Sequence, residues 1–127
     1  MSQVSPTQRN AMIDVSIKYD GEKKSLSLKV KGHSKQAEIG KDIVCASASM
    51  LTYTVAQLIK DMGKKQMLTT EPVIVLKEGN ATVSCQCKSE EEYIEALNYY
   101  NFVYTGCLLL AHNYPQYVQV KFVGKSE

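Results

Sequence analysis

The chain has only two histidines among its 127 residues, so any step that needs a histidine must use His33 or His112. It contains no G-x-S-x-G elbow, no glycine-rich phosphate loop and no H-E-x-x-H pair. Serine-hydrolase, nucleotide-binding and metalloprotease readings therefore have no residues to rest on. No apolar run approaches the length needed to cross a bilayer, and the opening MSQVSPTQRN is polar where a secretory signal needs an apolar stretch. These absences predict a cytoplasmic chain without a membrane partner. The formal net charge of +2 is small and spread along the sequence, so no nucleic-acid partner is required. Internal repeats and low-complexity segments are also lacking.

What is present fits one globular domain. Hydrophobic residues make up 44% and charged residues 22%, a balance that lets a chain of this length bury a single core. Four cysteines with no export signal read as thiols in a reducing compartment rather than as a disulfide framework.

The apolar pattern divides the chain into alternating elements. Residues 1–11 read as a flexible tail ahead of one domain spanning 12–124. Ile13, Val15, Ile17 and Tyr19 alternate with polar residues, Asp20-Gly21 marks a turn, and Leu26, Leu28 and Val30 alternate again, which predicts a hairpin. From Asp42 to Gly63 the step changes to three and four: Val44, Ala48, Leu51, Val55, Leu58 and Met62 form one stripe of a helix, with Asp42 as its N-cap. Strands follow at Val73 to Lys77 and at Ala81 to Cys87, with a turn at Gly79-Asn80. Ser89 and Glu92 form a capping box for a second helix carrying Tyr93, Leu97, Tyr100, Tyr104, Cys107 and Ala111. Tyr117 to Val123 is a last strand. The order ββαββαβ predicts an α+β fold, a two-layer α/β sandwich with a mixed five-stranded sheet and both helices on one face.

The chemistry is concentrated in residues 32–49, GHSKQAEIGKDIVCASAS. With Asp42 as cap, Cys45 is the third helical position, where unpaired backbone N–H groups and the helix dipole favour a thiolate. His33, twelve residues earlier at a strand end, is joined to it by a loop able to fold back, and Gly32 and Gly40 permit tight backbone conformations there. Asp42 has a second possible job, orienting His33. Ser49 lies one turn beyond Cys45 on the same helical face and can support the site with its hydroxyl. Cys85 and Cys87 share one face of a strand and read as core, since two thiols do not make a zinc site. Cys107 reads as inert core, and His112 as a helix-end residue meeting the carbonyl end of the dipole. The tyrosines of the second helix and its exit read as core or dimer interface.

Gly32-His33, Gly40, Asp42-Ile43-Val44-Cys45-Ala46 and Ser49 together resemble the signature G-H-x-x-x-x-x-x-G-x-D-I-V-C-A-x-x-S of the ribosomal-processing cysteine proteases, the Prp or YsxB-like family. That resemblance implies a homodimer with a Cys45–His33 dyad and no metal or cofactor. It also implies a substrate: a precursor large-subunit ribosomal protein, whose N-terminal extension is cut off after an aromatic residue through a thioester. The chain departs from the family's pattern at Ser34, at Ser47-Ala48 and in the eleven residues before Met12. Two alternative readings use the same scaffold: a phage or diverged relative that processes a capsid protein, and a non-catalytic ribosome-associated binding module.

Overall fold

The computed structural model describes residues 12–32 and 39–125. Five strands and two helices occur in the predicted order: β1 (Ile13–Asp20), β2 (Ser25–Lys31), α1 (Ile39–Lys64), β3 (Val73–Lys77), β4 (Asn80–Gln86), α2 (Glu90–Asn113) and β5 (Val118–Lys125). They form one mixed sheet in the order β3-β4-β2-β1-β5. β5 runs parallel to β1, and every other neighbouring pair is antiparallel. The tail expected at residues 1–11 lies outside the described residues.

Alternation in the strands places one side chain set against the helices and the other in water. Ile13, Val15 and Ile17 of β1, Leu26 and Leu28 of β2, Val83 and Cys85 of β4 and Val118 of β5 are buried on one face. Register keeps these sets together, since Ile17 is opposite Leu28 and Leu28 is opposite Val83. The β1–β2 turn is held by Asp20, whose Oδ1 accepts from the backbone N–H groups of Glu22 and Lys23 at 3.1 Å each. The β3–β4 turn falls one residue earlier than predicted, at Glu78-Gly79, because Asn80 already pairs with Lys77; Gly79 takes the positive φ of 77°.

Both helices cover the apolar face. α1 buries Val44, Ala48, Thr52, Val55, Ala56, Ile59 and Met62, so the core stripe is wider than predicted, and Leu51 and Leu58 lie on its half-buried flank. Residues 43–64 of α1 are long and apolar enough, by length and composition alone, to cross a membrane, contrary to the expectation that no run was. About a third of that apolar window, 33%, is buried within the fold. α2 buries Tyr93, Ala96, Tyr100, Val103 and Cys107. Ser89 caps it as predicted: its Oγ accepts from the Glu92 N–H at 3.4 Å and donates to Glu92 Oε1 at 2.5 Å. The helices pack closely because α2 offers Gly106 to Leu51. A Cβ there would come within 2.8 Å of the Leu51 side chain.

The start of α1 differs from the expectation. The helix begins at Ile39, which puts Asp42 at its fourth residue and Cys45 at its seventh. Asp42 is thus not the N-cap, and Gly40 belongs to the helix rather than to a loop. Asp42 is a favourable cap residue just before an apolar run, while Ile39-Gly40-Lys41 carries no helical signal of its own, so the boundary is hidden in the local sequence.

Candidate active site

Cys45 lines a cleft of about 440 Å³ at one end of the sheet. One wall is α1, which contributes Cys45, Ser49, Thr52 and Tyr53. The floor is Ile13 of β1 with Val30 of β2 and Gly32 just beyond that strand, and the far wall is the β3–β4 hairpin from Leu76 to Ala81. Cys45 and Ser49 share the cleft because residues four apart on a helix project to the same side. Cys45 is half-buried, and Ser49 is exposed.

Gly32 is held where the strand meets the cleft. Its φ is +94°, and its N–H donates to the Gly79 carbonyl at 3.0 Å, tying the end of β2 to the hairpin. A Cβ on Gly32 would collide with the Met12 carbonyl oxygen, so glycine is required for both its conformation and its space. His33, the next residue, and the loop through residue 38 lie outside the described residues.

The other three cysteines are buried. Burial pushes the Cys107 thiol up to about 11. The Cys87 thiol is raised by its hydrogen bond with the Cys85 thiol and then by burial. Among the described residues no three His, Cys, Asp or Glu side chains converge as metal ligands. His112 is exposed in the last turn of α2 and does not line the cleft.

The later start of α1 changes the expected chemistry. The N–H groups left unpaired by a helix are its first four, and Cys45 at the seventh residue lies beyond them. The helix-end amides are therefore not at the thiol. Among the described residues the Ser49 hydroxyl is a side-chain donor in the cleft.

Tyr53 and the β3–β4 hairpin are cleft residues beyond those expected from sequence. Tyr53 is at i+8 from Cys45 and Thr52 at i+7, so their helical side was readable; the hairpin could be placed only once β3 and β4 had been ordered in the sheet.

A half-exposed thiol in a cleft closed by a strand-end glycine is the arrangement a thiol peptidase needs, and the comparison with known proteins decides the family. The family described as Cysteine protease Prp matches residues 12–119. The chain belongs to the Prp cysteine protease family. No curated protein matches it in sequence. Among solved structures it is similar to SMU.848 from Streptococcus mutans, with TM-score 0.66 and 22% identity over 92% of this chain and 98% of that one. It is also similar to the essential ribosomal processing protease Prp from S. aureus in complex with a substrate peptide, with TM-score 0.62 and 19% identity over 87% of this chain and 99% of that one. The same S. aureus protease with a covalently linked product peptide gives TM-score 0.61 and 20% identity over the same shares. At these identities the likeness to Prp structures is one of fold.

Proposed function

We propose that this Prp-family chain is a cysteine endopeptidase in which Cys45 is the nucleophile and His33 the proton carrier. Its substrate is a precursor ribosomal protein with an N-terminal extension, and it acts as a homodimer in the bacterial cytoplasm without metal, cofactor or membrane. The observation that carries the reading is the cleft: Cys45 is the half-exposed cysteine, and Gly32, bonded to His33 in sequence, lines the same cavity. The S. aureus relative that shares the fold is described with a substrate peptide and with a covalently linked product peptide, which supports peptide hydrolysis through an enzyme-bound intermediate.

In this mechanism the Cys45 thiolate attacks the scissile carbonyl, and a C–S bond forms as the carbonyl π electrons move to oxygen. Ser49 supplies a donor toward that oxygen. Collapse breaks the C–N bond, and His33 delivers its proton to the departing amine. His33 then takes a proton from water, which hydrolyses the thioester and frees Cys45. Ser49 is a supporting group, and Asp42 is left with the task of orienting His33.

The test is incubation with the precursor ribosomal protein from the same organism, read by mass. The expected result is loss of one N-terminal fragment by the parent protein and none by Cys45→Ala. An unchanged precursor would overturn the substrate assignment. If model peptides were also left uncut while Cys45 remained alkylatable, the chain would be a binding module on this scaffold.

A further inference from the structure

The face of the sheet turned away from the helices carries a charge that the linear sequence hides. Strand alternation and register place Lys18 of β1, Lys29 and Lys31 of β2, Lys77 of β3 and Lys121 of β5 on that face, all exposed. Among the described residues the acidic groups there are Asp14, opposite Lys31, Asp20, whose carboxylate already accepts two turn amides, and Glu71, which lines a cavity with Lys18 at one end of the face. Lys29 and Lys121 both pair with Ser16, one from each side, and Lys18 is the next outward residue along β1. With strands ~4.8 Å apart and alternate residues ~6.8 Å apart, the three lysines stand on a triangle with sides of roughly 8–10 Å. That is about one Debye length at physiological salt, so their potentials add. The molecule is polarised as well: α2, on the other side of the sheet, carries Glu90, Glu91, Glu92 and Glu95 and no lysine or arginine.

We infer that this open sheet face is a docking surface for double-stranded RNA. The lysines supply phosphate contacts, and the hydroxyls of Ser16, Ser27, Thr82 and Ser84 lie between them on the same face. A five-stranded sheet is too broad to enter the major groove of B-form DNA, which admits a helix or a two-stranded ribbon. It can lie against the wide, shallow minor groove of A-form RNA, where 2′-hydroxyls meet side-chain hydroxyls. Single strands are disfavoured because the outward positions of all five strands carry no aromatic ring to stack a base. Bilayers are disfavoured because the apolar residues there are valines only, Val73, Val75 and Val123, with nothing that inserts as Trp or Phe does. The inference is independent of the cysteine chemistry, since Lys18, Lys29 and Lys121 do not line the Cys45 cleft, and Lys77, which does, stands outside the triangle.

The test is fluorescence anisotropy of the full chain with a labelled RNA duplex of about 20 base pairs, long enough to span a docking module of this size. Binding should weaken on the order of 40-fold between about 50 and 200 mM salt if three phosphates are neutralised. Lys29→Glu with Lys121→Glu should weaken it at least tenfold. Lys64→Glu with Lys65→Glu, an equal charge change at the end of α1, should alter it less than about twofold, as a through-space effect alone would. If the first pair does not fold by circular dichroism, Lys18→Gln, Lys29→Gln and Lys121→Gln together carry the same test with a milder change. Absence of binding at low salt overturns the inference. So does equal loss in the α1 control, or tighter binding to a DNA duplex or to phosphatidylserine vesicles. Peptide cleavage by the sheet-face variants is expected at the parent rate, which keeps this result separate from the protease reading.

Discussion

Among the four thiols, accessibility separates Cys45 from the others. Iodoacetamide should label it first, while Cys85, Cys87 and Cys107 react only as the protein opens; peptide mapping of a time course checks this, and equal rates at all four would contradict the burial pattern. Cys45→Ala should leave the unfolding midpoint nearly unchanged and abolish cleavage. A folded His33→Ala that cuts at the parent rate would sink the dyad, since His112 is not at the cleft. Cys107 adds a pH effect. Its folded value, about 11, lies above the ordinary 9.0, so burial of the neutral thiol stabilises the fold fully below about pH 9 and that contribution is lost as pH rises toward 11. Cys107→Ala should flatten the alkaline limb of a stability profile in that window. Gly32→Ala should cost at least about 1–3 kcal/mol in denaturant unfolding and reduce activity, because the side chain meets both a left-handed φ and the Met12 carbonyl.

At the scale of elements, the two helix starts should respond differently to mutation. Ser89 is a true cap of α2, so Ser89→Ala should cost about 0.5–2 kcal/mol. Asp42 stands inside α1, so Asp42→Ala should change the melting temperature little. A fall in activity at constant stability would then mark it as a residue that positions His33. Equal losses of stability at both sites would restore Asp42 as a cap. α2 is also anchored to the sheet by Tyr100, which is fully buried and whose hydroxyl donates to the Val83 carbonyl at 2.8 Å. Tyr100→Phe removes that bond and the weaker one to the Cys85 sulfur at 3.9 Å, and should cost about 0.5–1.5 kcal/mol.

For the whole molecule, the helical layer leaves Ile43, Met50, Phe102 and Leu109 at least half exposed. That is more apolar surface than scattered single residues would give, and it favours a symmetric pair. Sedimentation velocity at micromolar concentration should report a dimer, and Phe102→Glu with Leu109→Glu should give a folded monomer. A parent protein that sediments as a monomer would leave this face to another partner. The tyrosines of the second helix read, from sequence, as core or dimer interface. Tyr93 and Tyr100 are core, and the exposed large apolar residues of α2 are Ile94, Phe102, Leu108 and Leu109.

Local physics was enough for much of this. The period of two in Ile13–Tyr19 and Leu26–Val30, the period near 3.6 from Val44 to Met62, and the Ser89–Glu92 pair each depend on neighbours within a few residues, so the sequence alone determined the element order, the two-layer architecture and the segment holding Cys45 and Ser49. Where α1 begins was not legible, because a helix end depends on what the chain beyond it packs against. Two features required the strands to be ordered and registered. One is the cleft wall, formed when the β3–β4 hairpin comes to face α1. The other is the basic sheet face: Lys18, Lys29 and Lys121 are scattered along the chain as ordinary solvated residues, and only pairing of β1 with both β2 and β5 sums their fields on one surface.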